Sequence, residues 1–364
     1  MKNSKLKLLL IAGLVATLGL IFTGCQDTST LEEQPEEQIE YEIALVTDDS
    51  LIMDGGHSEV TWNSIVEFGA TNGISHKYYK ATEATSTAYN EAIDIAVGKG
   101  AKVVIADGET LEDVIYEAQD KYKDVKFILI NAEPVSEANG DINVHMNTVA
   151  ITFATEEAGF LAGYAAVSEG YDRLGFIGEN TSLDIRNYGY GFIRGANRAA
   201  RENGINVEMK YRYCGEDESR DSIYSSAKKW YEDGTELIFV GGYEAVTSVA
   251  KAAEAVDGKV IGSGTDRSQL SDRVITSAVV NIPMALNKAL MDYKKGNFPG
   301  GQVLEYGAAQ EGVSLELKNN KLTNSQLNKY EDVLDDIASG EIKIRTGQIT
   351  SVDEINAPRV IIIK

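Results

Sequence analysis

Leu237-Ile238-Phe239-Val240-Gly241-Gly242-Tyr243 sets four large apolar side chains on consecutive residues and follows them at once with two glycines. A strand with one wet face alternates apolar and polar residues. A strand covered on both faces need not, and that is the habit of parallel sheets sandwiched between helices. The signature recurs at Val103-Val104-Ile105 and Phe127-Ile128-Leu129-Ile130. Working outward, apolar β-rich runs predict strands at 42–47, 101–106, 125–131, 173–178, 236–241 and 259–263. Helical patterns lie between them at 86–97, 111–122, 158–168, 192–202, 222–231 and 245–256. Strand, helix, strand, repeated in two successive blocks, predicts an α/β protein of two Rossmann-like lobes. The first block spans 41–146 and the second 147–279. The tail carries another helix at 283–293 and a Gly-rich turn at 296–301, so it must return to the lobes: about 280–310 to the first, about 311–364 to the second. Two such lobes enclose a hinged cleft, and ligands of open parallel sheets sit off the carboxyl ends of the strands.

The amino terminus has a different character. Lys2, Lys5 and Lys7 precede a run from Leu8 to Phe22 in which every residue is apolar, glycine or threonine, and the segment ends in Thr23-Gly24-Cys25. A basic start, an apolar stretch of about 15 residues and small residues before a cut site make a secretory signal. The stretch falls short of the roughly 20 apolar residues of a transmembrane helix. Small residues followed directly by cysteine resemble a bacterial lipobox. Residues 1–24 are therefore expected to be a lipoprotein signal peptide and Cys25 the lipidated residue that holds the protein on the outer face of the cell membrane. Residues 25–40 mix six acids with Thr, Ser, Gln and Pro35 and hold too little apolar surface to pack, which predicts an acidic tether.

Loss of residues 1–24 takes three lysines and no acid, moving the formal charge from −22 to −25. So acidic a chain is repelled by nucleic-acid phosphates and anionic headgroups, which excludes nucleic acid as a partner and leaves the lipid as the membrane anchor. Once Cys25 is acylated, Cys214 is the one remaining thiol and no disulfide can form; about 340 residues must be held by their core.

The strand-end loops carry the candidate ligand groups. After the first predicted strand come Asp48 and, nine residues on, His57-Ser58. A carboxylate accepts well from ligand hydroxyls, a histidine stacks or hydrogen-bonds, and a serine can do either half of a hydrogen bond; Asp48 and Ser58 could equally cap the next helix. Asp107-Gly108-Glu109-Thr110 and Asn131-Ala132-Glu133-Pro134 end the next two strands, with Thr110 read as a cap. Gly241-Gly242 would admit a ligand close to the backbone or simply make a tight turn, and Gly262-Ser263-Gly264-Thr265-Asp266 ends a further strand. Catalytic constellations are missing. Three histidines form no His-x-His or His-Glu-x-x-His pair, and there is no Cys-x-x-Cys, Gly-x-x-x-x-Gly-Lys-Ser/Thr or Gly-x-Ser-x-Gly. The Gly189-x-Gly191-x-x-x-Gly195 run has the wrong spacing for a dinucleotide loop. No metal or cofactor is implied, and a binding protein is expected rather than an enzyme.

Phe153-Ala154-Thr155-Glu156-Glu157-Ala158-Gly159-Phe160-Leu161-Ala162-Gly163, then Gly175-Phe176-Ile177-Gly178 with Ile185, Tyr188, Gly191-Phe192 and Gly195-Ala196 at matching spacing, resemble the basic membrane protein family. These are purine-nucleoside-receptor-like substrate-binding lipoproteins of ABC transporters. Ile337 to Ile344 resembles the family's closing helix and strand. The likeness covers nearly all of 41–364 and implies a type I periplasmic-binding-protein fold with three crossings between lobes. In the opening loop Asp48 and Asp54 match the family pattern, but His57 stands where the base-stacking Phe would be and Ser58 where an Asn would be. Further on, Gly264 replaces an aspartate, Asp266 retains one, and a lysine position falls on Val280. Those changes imply an altered ligand or a degraded nucleoside site. The expected function is capture of a small polar solute, a nucleoside or related heterocycle first, with a flavin or sugar as options, for a membrane permease. The expected ligand residues are Asp48, His57, Ser58, Asn131, Gly242 and Asp266. A sensor or structural surface lipoprotein is the alternative, and a hydrolase working through Asp48 and Asp54 is the enzymatic one.

Overall fold

The computed structural model describes residues 40–47, 52, 55–215, 217–344, 349 and 351–363. Cys25, the signal segment, the acidic tether up to residue 39, Asp48 and Asp54 lie outside them. In chain order the first elements are β1 (Ile43–Thr47), α1 (His57–Asn72), β2 (His76–Lys80), α2 (Ser86–Gly98), β3 (Val103–Asp107), α3 (Glu112–Lys121), β4 (Lys126–Ile130) and β5 (Thr148–Phe153). Then come α4 (Thr155–Ser168), β6 (Arg173–Gly178), α5 (Leu183–Asn203), β7 (Val207–Tyr213), α6 (Arg220–Glu232), β8 (Leu237–Gly241), α7 (Glu244–Val256), β9 (Lys259–Gly264) and β10 (Val274–Val280). The chain closes with α8 (Ile282–Lys294), β11 (Gln302–Tyr306), β12 (Val313–Leu315), α9 (Asn324–Ala338) and β13 (Val360–Ile363).

Among the described residues the strands form two sheets. One has the order β11-β5-β4-β3-β1-β2 and is parallel throughout; the other has the order β12-β10-β9-β8-β6-β7-β13, with β12 antiparallel. The inner strands β1 and β8 are buried along their whole length, as expected of sheets covered on both faces. This is the two-lobed α/β fold predicted from the apolar runs. The chain passes between sheets after β5, after β10 and again between β11 and β12.

Several details differ from the sequence reading. The changeover placed at 146–147 is corrected by β5, which pairs with β4 and β11 and so carries the first sheet on to Phe153. Strand β2, His-Lys-Tyr-Tyr-Lys, escaped notice because it is an edge strand with three of its five residues exposed. Strand β7 alternates Val207, Met209 and Tyr211 inward with charged residues between them, the half-covered pattern rather than the doubly covered one. The stretch from Ile337 to Ile344 holds the end of α9 but no strand; β13 completes the sheet instead.

Helix α5 starts at Leu183, nine residues earlier than its predicted start, and includes the glycines that weaken a helical pattern. Their reason is steric. A methyl group on Gly195 would overlap the carbonyl oxygen of Phe160, and on Gly191 that of Glu156; conversely, side chains on Gly159 and Gly163 of α4 would overlap the Tyr188 and Phe192 carbonyls. The two helices touch backbone to backbone, and α4 is buried almost all round.

Candidate functional site

A cavity of about 250 Å³ lies between the lobes, at the carboxyl ends of the strands. From the first lobe its wall takes the start of α1, the Asp107-Gly108 end of β3 and Asn131 beyond β4; from the second it takes the starts of α4 and α5 and the ends of β8, β9 and β10.

On the first-lobe side, Asp107 is held from two directions. Thr61 Oγ1 donates to its Oδ2 at 2.7 Å and Asn131 Nδ2 to its Oδ1 at 2.6 Å. Asn131 has φ of 59°, a left-handed conformation that asparagine tolerates better than most residues, and this turns its amide back over the strand ends. The same Nδ2 lies 3.3 Å from His57 Nδ1, so Asp107, Asn131 and His57 form one chain of polar contacts along the wall. Ser58 is in the first turn of α1 and lines the cavity; the capping position is Gly56, which carries no side-chain cap, so Ser58 is not the helix cap.

The second lobe reaches across the cleft. Arg267 is 2 % exposed; its Nη1 donates to the Gly55 carbonyl at 2.7 Å, its Nε to the Ser263 carbonyl at 3.3 Å, and its guanidinium stands 4.3 Å over the Tyr243 ring. Thr265 Oγ1 also donates to the Gly55 carbonyl, at 2.8 Å. One carbonyl of the first lobe thus receives two donors from the second, which latches the lobes together. Beside this latch the His57 ring lies against Gly264, whose φ is +80° and where any side chain would run into His57 Nε2. The His57 and Gly264 departures from the family pattern therefore meet in space.

Of the other expected residues, Gly242 lines the cavity and its N–H donates to Ser263 Oγ at 3.0 Å. Asp266 does not line it. Ser268 N and Oγ and Asn319 Nδ2 donate to its two oxygens at 2.8–3.0 Å, and, against the effect of burial, these hold its carboxyl below the usual range. It ties down the turn after β9, and this corrects the expectation that it accepts from a ligand. Cys214 is half-buried, with burial pushing its thiol up, the opposite of an activated nucleophile. The sequence reading missed Asp107, Asp184, Tyr188 and Arg267 as cavity residues. Asp107 had a strand-end signal and Tyr188 stood in the family-like segment, though neither was read as a cavity residue; Asp184 and Arg267 had no signal of their own.

Acids crowd the junction. Burial first, then the charge of Glu109, pushes the Asp184 carboxyl up to about 7, with Thr155 opposing and Glu112 and Glu305 adding to the rise. Glu112 and Glu156 are also pushed up to about 7, each by burial and then by neighbouring acids. Their folded-state values exceed the unfolded carboxyl value of about 4, so the native state binds more protons than the unfolded chain between those limits. Stability is therefore fully present below about pH 4 for these groups and lost as pH rises through about 7. The melting temperature is expected to be higher at pH 5.5 than at pH 8; a scanning calorimetry series showing the reverse would contradict this placement of the acids. Among the described residues no group of three or more His, Cys, Asp or Glu is arranged to hold a metal ion.

Two lobes latched over an interior cavity are the type I periplasmic-binding-protein fold. The model of the Bmp family, described as ABC transporter substrate-binding protein PnrA-like, matches residues 42–348, and the chain belongs to that family. It is 28% identical to basic membrane protein A1 of Borrelia garinii subsp. bavariensis, over 86% of this chain and 89% of that one. It is 22% identical to the ABC transporter nucleoside-binding protein BmpA of Lactococcus lactis subsp. cremoris, over 95% and 99%. A solute-binding protein of an ABC transporter system from Conexibacter woesei superposes with a TM-score of 0.69 at 17% identity, over 84% of this chain and 98% of that one. The protein is an ABC transporter substrate-binding protein, a carrier without enzymatic activity.

Proposed function

We propose that this chain is exported, anchored through acyl chains on Cys25 to the outer face of the cell membrane, and captures a nucleoside or related heterocycle for an ABC permease. The observation that carries the reading is the cavity itself: it lies at the strand ends and is closed by the two donors on Gly55 O. Its walls offer the His57 and Tyr243 rings with Asp107 and Asn131 beside them. A nucleoside needs those elements, a flat face for its base and fixed acceptors for its hydroxyls. The nucleoside-binding relative of Lactococcus supports the ligand class, and the lipobox supports the anchor. The acidic surface leaves nucleic acid out of the account.

The test is to purify the form from Gln26 onward, denature it, and identify any released small molecule by mass spectrometry. Calorimetry on the refolded, ligand-free protein with nucleosides, flavins and sugars goes with it. A nucleoside released from the protein and rebound by it is the expected result. Heat only from a sugar or a flavin would move the ligand class, and a silent panel with nothing released would assign the fold to a non-transport role at the surface. In whole cells, Cys25→Ala is expected to move the protein from the membrane fraction.

A further inference from the structure

The geometry points to Asp184 and Tyr188 as a second-lobe subsite for a positively charged nitrogen, so that within the ligand class proposed above the cleft selects an amine-bearing member. This rests on the cavity being the solute site. The two residues are one turn apart on α5, hence on the same face, and both line the cavity. Tyr188 is 4 % exposed; the Gly264 N–H stands near its hydroxyl, but no hydrogen bond of normal geometry is made there. A buried hydroxyl in a cavity wall without a well-formed hydrogen bond is a place for a ligand group, because leaving it poorly satisfied is costly.

Charge decides which group. Around Asp184 stand Glu109 in the turn after β3, Glu112 on α3, Glu305 on β11 and Glu156 on α4, all acids. The cations nearby are committed elsewhere: Arg267 to the latch and the Tyr243 ring, and Arg186 to the Thr181 carbonyl at 3.0 Å, facing Glu109. Val280, an apolar residue, lines the same cavity. A negative field of this kind complements a cation and repels a phosphate. Asp184 is not simply a first-turn acid favoured by the α5 dipole, since that role suits a solvated carboxylate and would lower its pKa, whereas Asp184 is half-buried in the cavity wall and its pKa is raised.

Calorimetry on the chain from Gln26 at pH 8 with adenosine, 5′-amino-5′-deoxyadenosine, N6-(2-aminoethyl)adenosine and adenosine 5′-monophosphate tests this. One of the two amines is expected to bind roughly tenfold tighter than adenosine, and the monophosphate more weakly than either. Asp184→Asn is expected to bring the amine-to-adenosine ratio towards one, and Tyr188→Phe to reduce it. If Asp184→Asn does not fold, the wild-type ratio decides, because it should rise between pH 6 and pH 8 as the carboxyl ionises. Adenosine binding as well as both amines, or a ratio untouched by Asp184→Asn, overturns the subsite and leaves the nucleoside reading standing. Silence from all four compounds overturns that reading and the subsite with it.

Discussion

Gly195→Val is expected to lower the unfolding free energy by about 3 kcal/mol or more. The added side chain would be driven into the Phe160 carbonyl and the backbone of Tyr164. Neither can yield, because both belong to the α4 helix, which is packed on nearly every side. Overpacking of this kind is relieved only by moving one helix off the other, which would open the contact that also seats Gly159, Gly163 and Gly191. Thermal melts followed by circular dichroism are the direct measurement, with Gly98→Ala as a control at the exposed end of α2, where an added methyl group meets nothing. A Gly195→Val melt within about 2 °C of wild type would show that the helices can separate without cost and that the backbone contact is not what holds this lobe.

Arg267→Ala is expected to weaken ligand capture by roughly 10- to 100-fold while leaving the two lobes folded. Its guanidinium supplies one of the two donors to the Gly55 carbonyl and is stacked on Tyr243 at the same time, so it acts on the closed arrangement of the lobes. A hydrogen bond from a charged donor contributes about 1.5–3 kcal/mol, and that difference appears in the closed state alone. Thr265 remains on the same carbonyl, which is why the latch is weakened and not abolished. The readout is the dissociation constant of whichever compound the native protein releases, measured beside a melt of the unliganded variant. An unchanged constant would mean that the Gly55 bridge is formed equally with and without ligand.

The pH prediction and the amine preference lean on the same residues from different sides. Raised carboxyls at the junction make the protein more stable in mild acid, whereas a cationic ligand would favour the ionised form of Asp184. Bound amine should therefore flatten the fall in melting temperature between pH 5.5 and pH 8.

Which parts were legible in the chain follows from how local each signal is. Consecutive apolar residues at Val103–Ile105, Phe127–Ile130 and Leu237–Val240 mark doubly covered strands by themselves, since burial on both faces leaves no polar alternate. The lobes, the cleft at the strand ends and the placing of His57, Ser58, Asn131 and Gly242 on its wall follow from that pattern and the loops after it. The Phe160-Leu161-Ala162-Gly163 segment was legible as a family motif, and the structure supplies its reason in the α4–α5 contact.

Other features are not local, and no spacing rule reaches them. Asp107 and Asp184 face one cavity from opposite lobes, and Arg267 meets Gly55 from 212 positions away, so their roles exist only after the sheets have been assembled. Asp266 and Arg267 show the limit most plainly. They are adjacent at the end of β9, and composition makes the aspartate the better ligand acceptor. The turn after β9 bends the aspartate onto Ser268 and Asn319 and sends the arginine across the cleft. The sequence by itself determined that two parallel sheets would form and that polar loops would meet between them, because burial is written residue by residue. Only the tertiary structure decided which charges face the ligand, because a side chain's direction at a strand end depends on the turn and on what the opposite lobe brings to meet it.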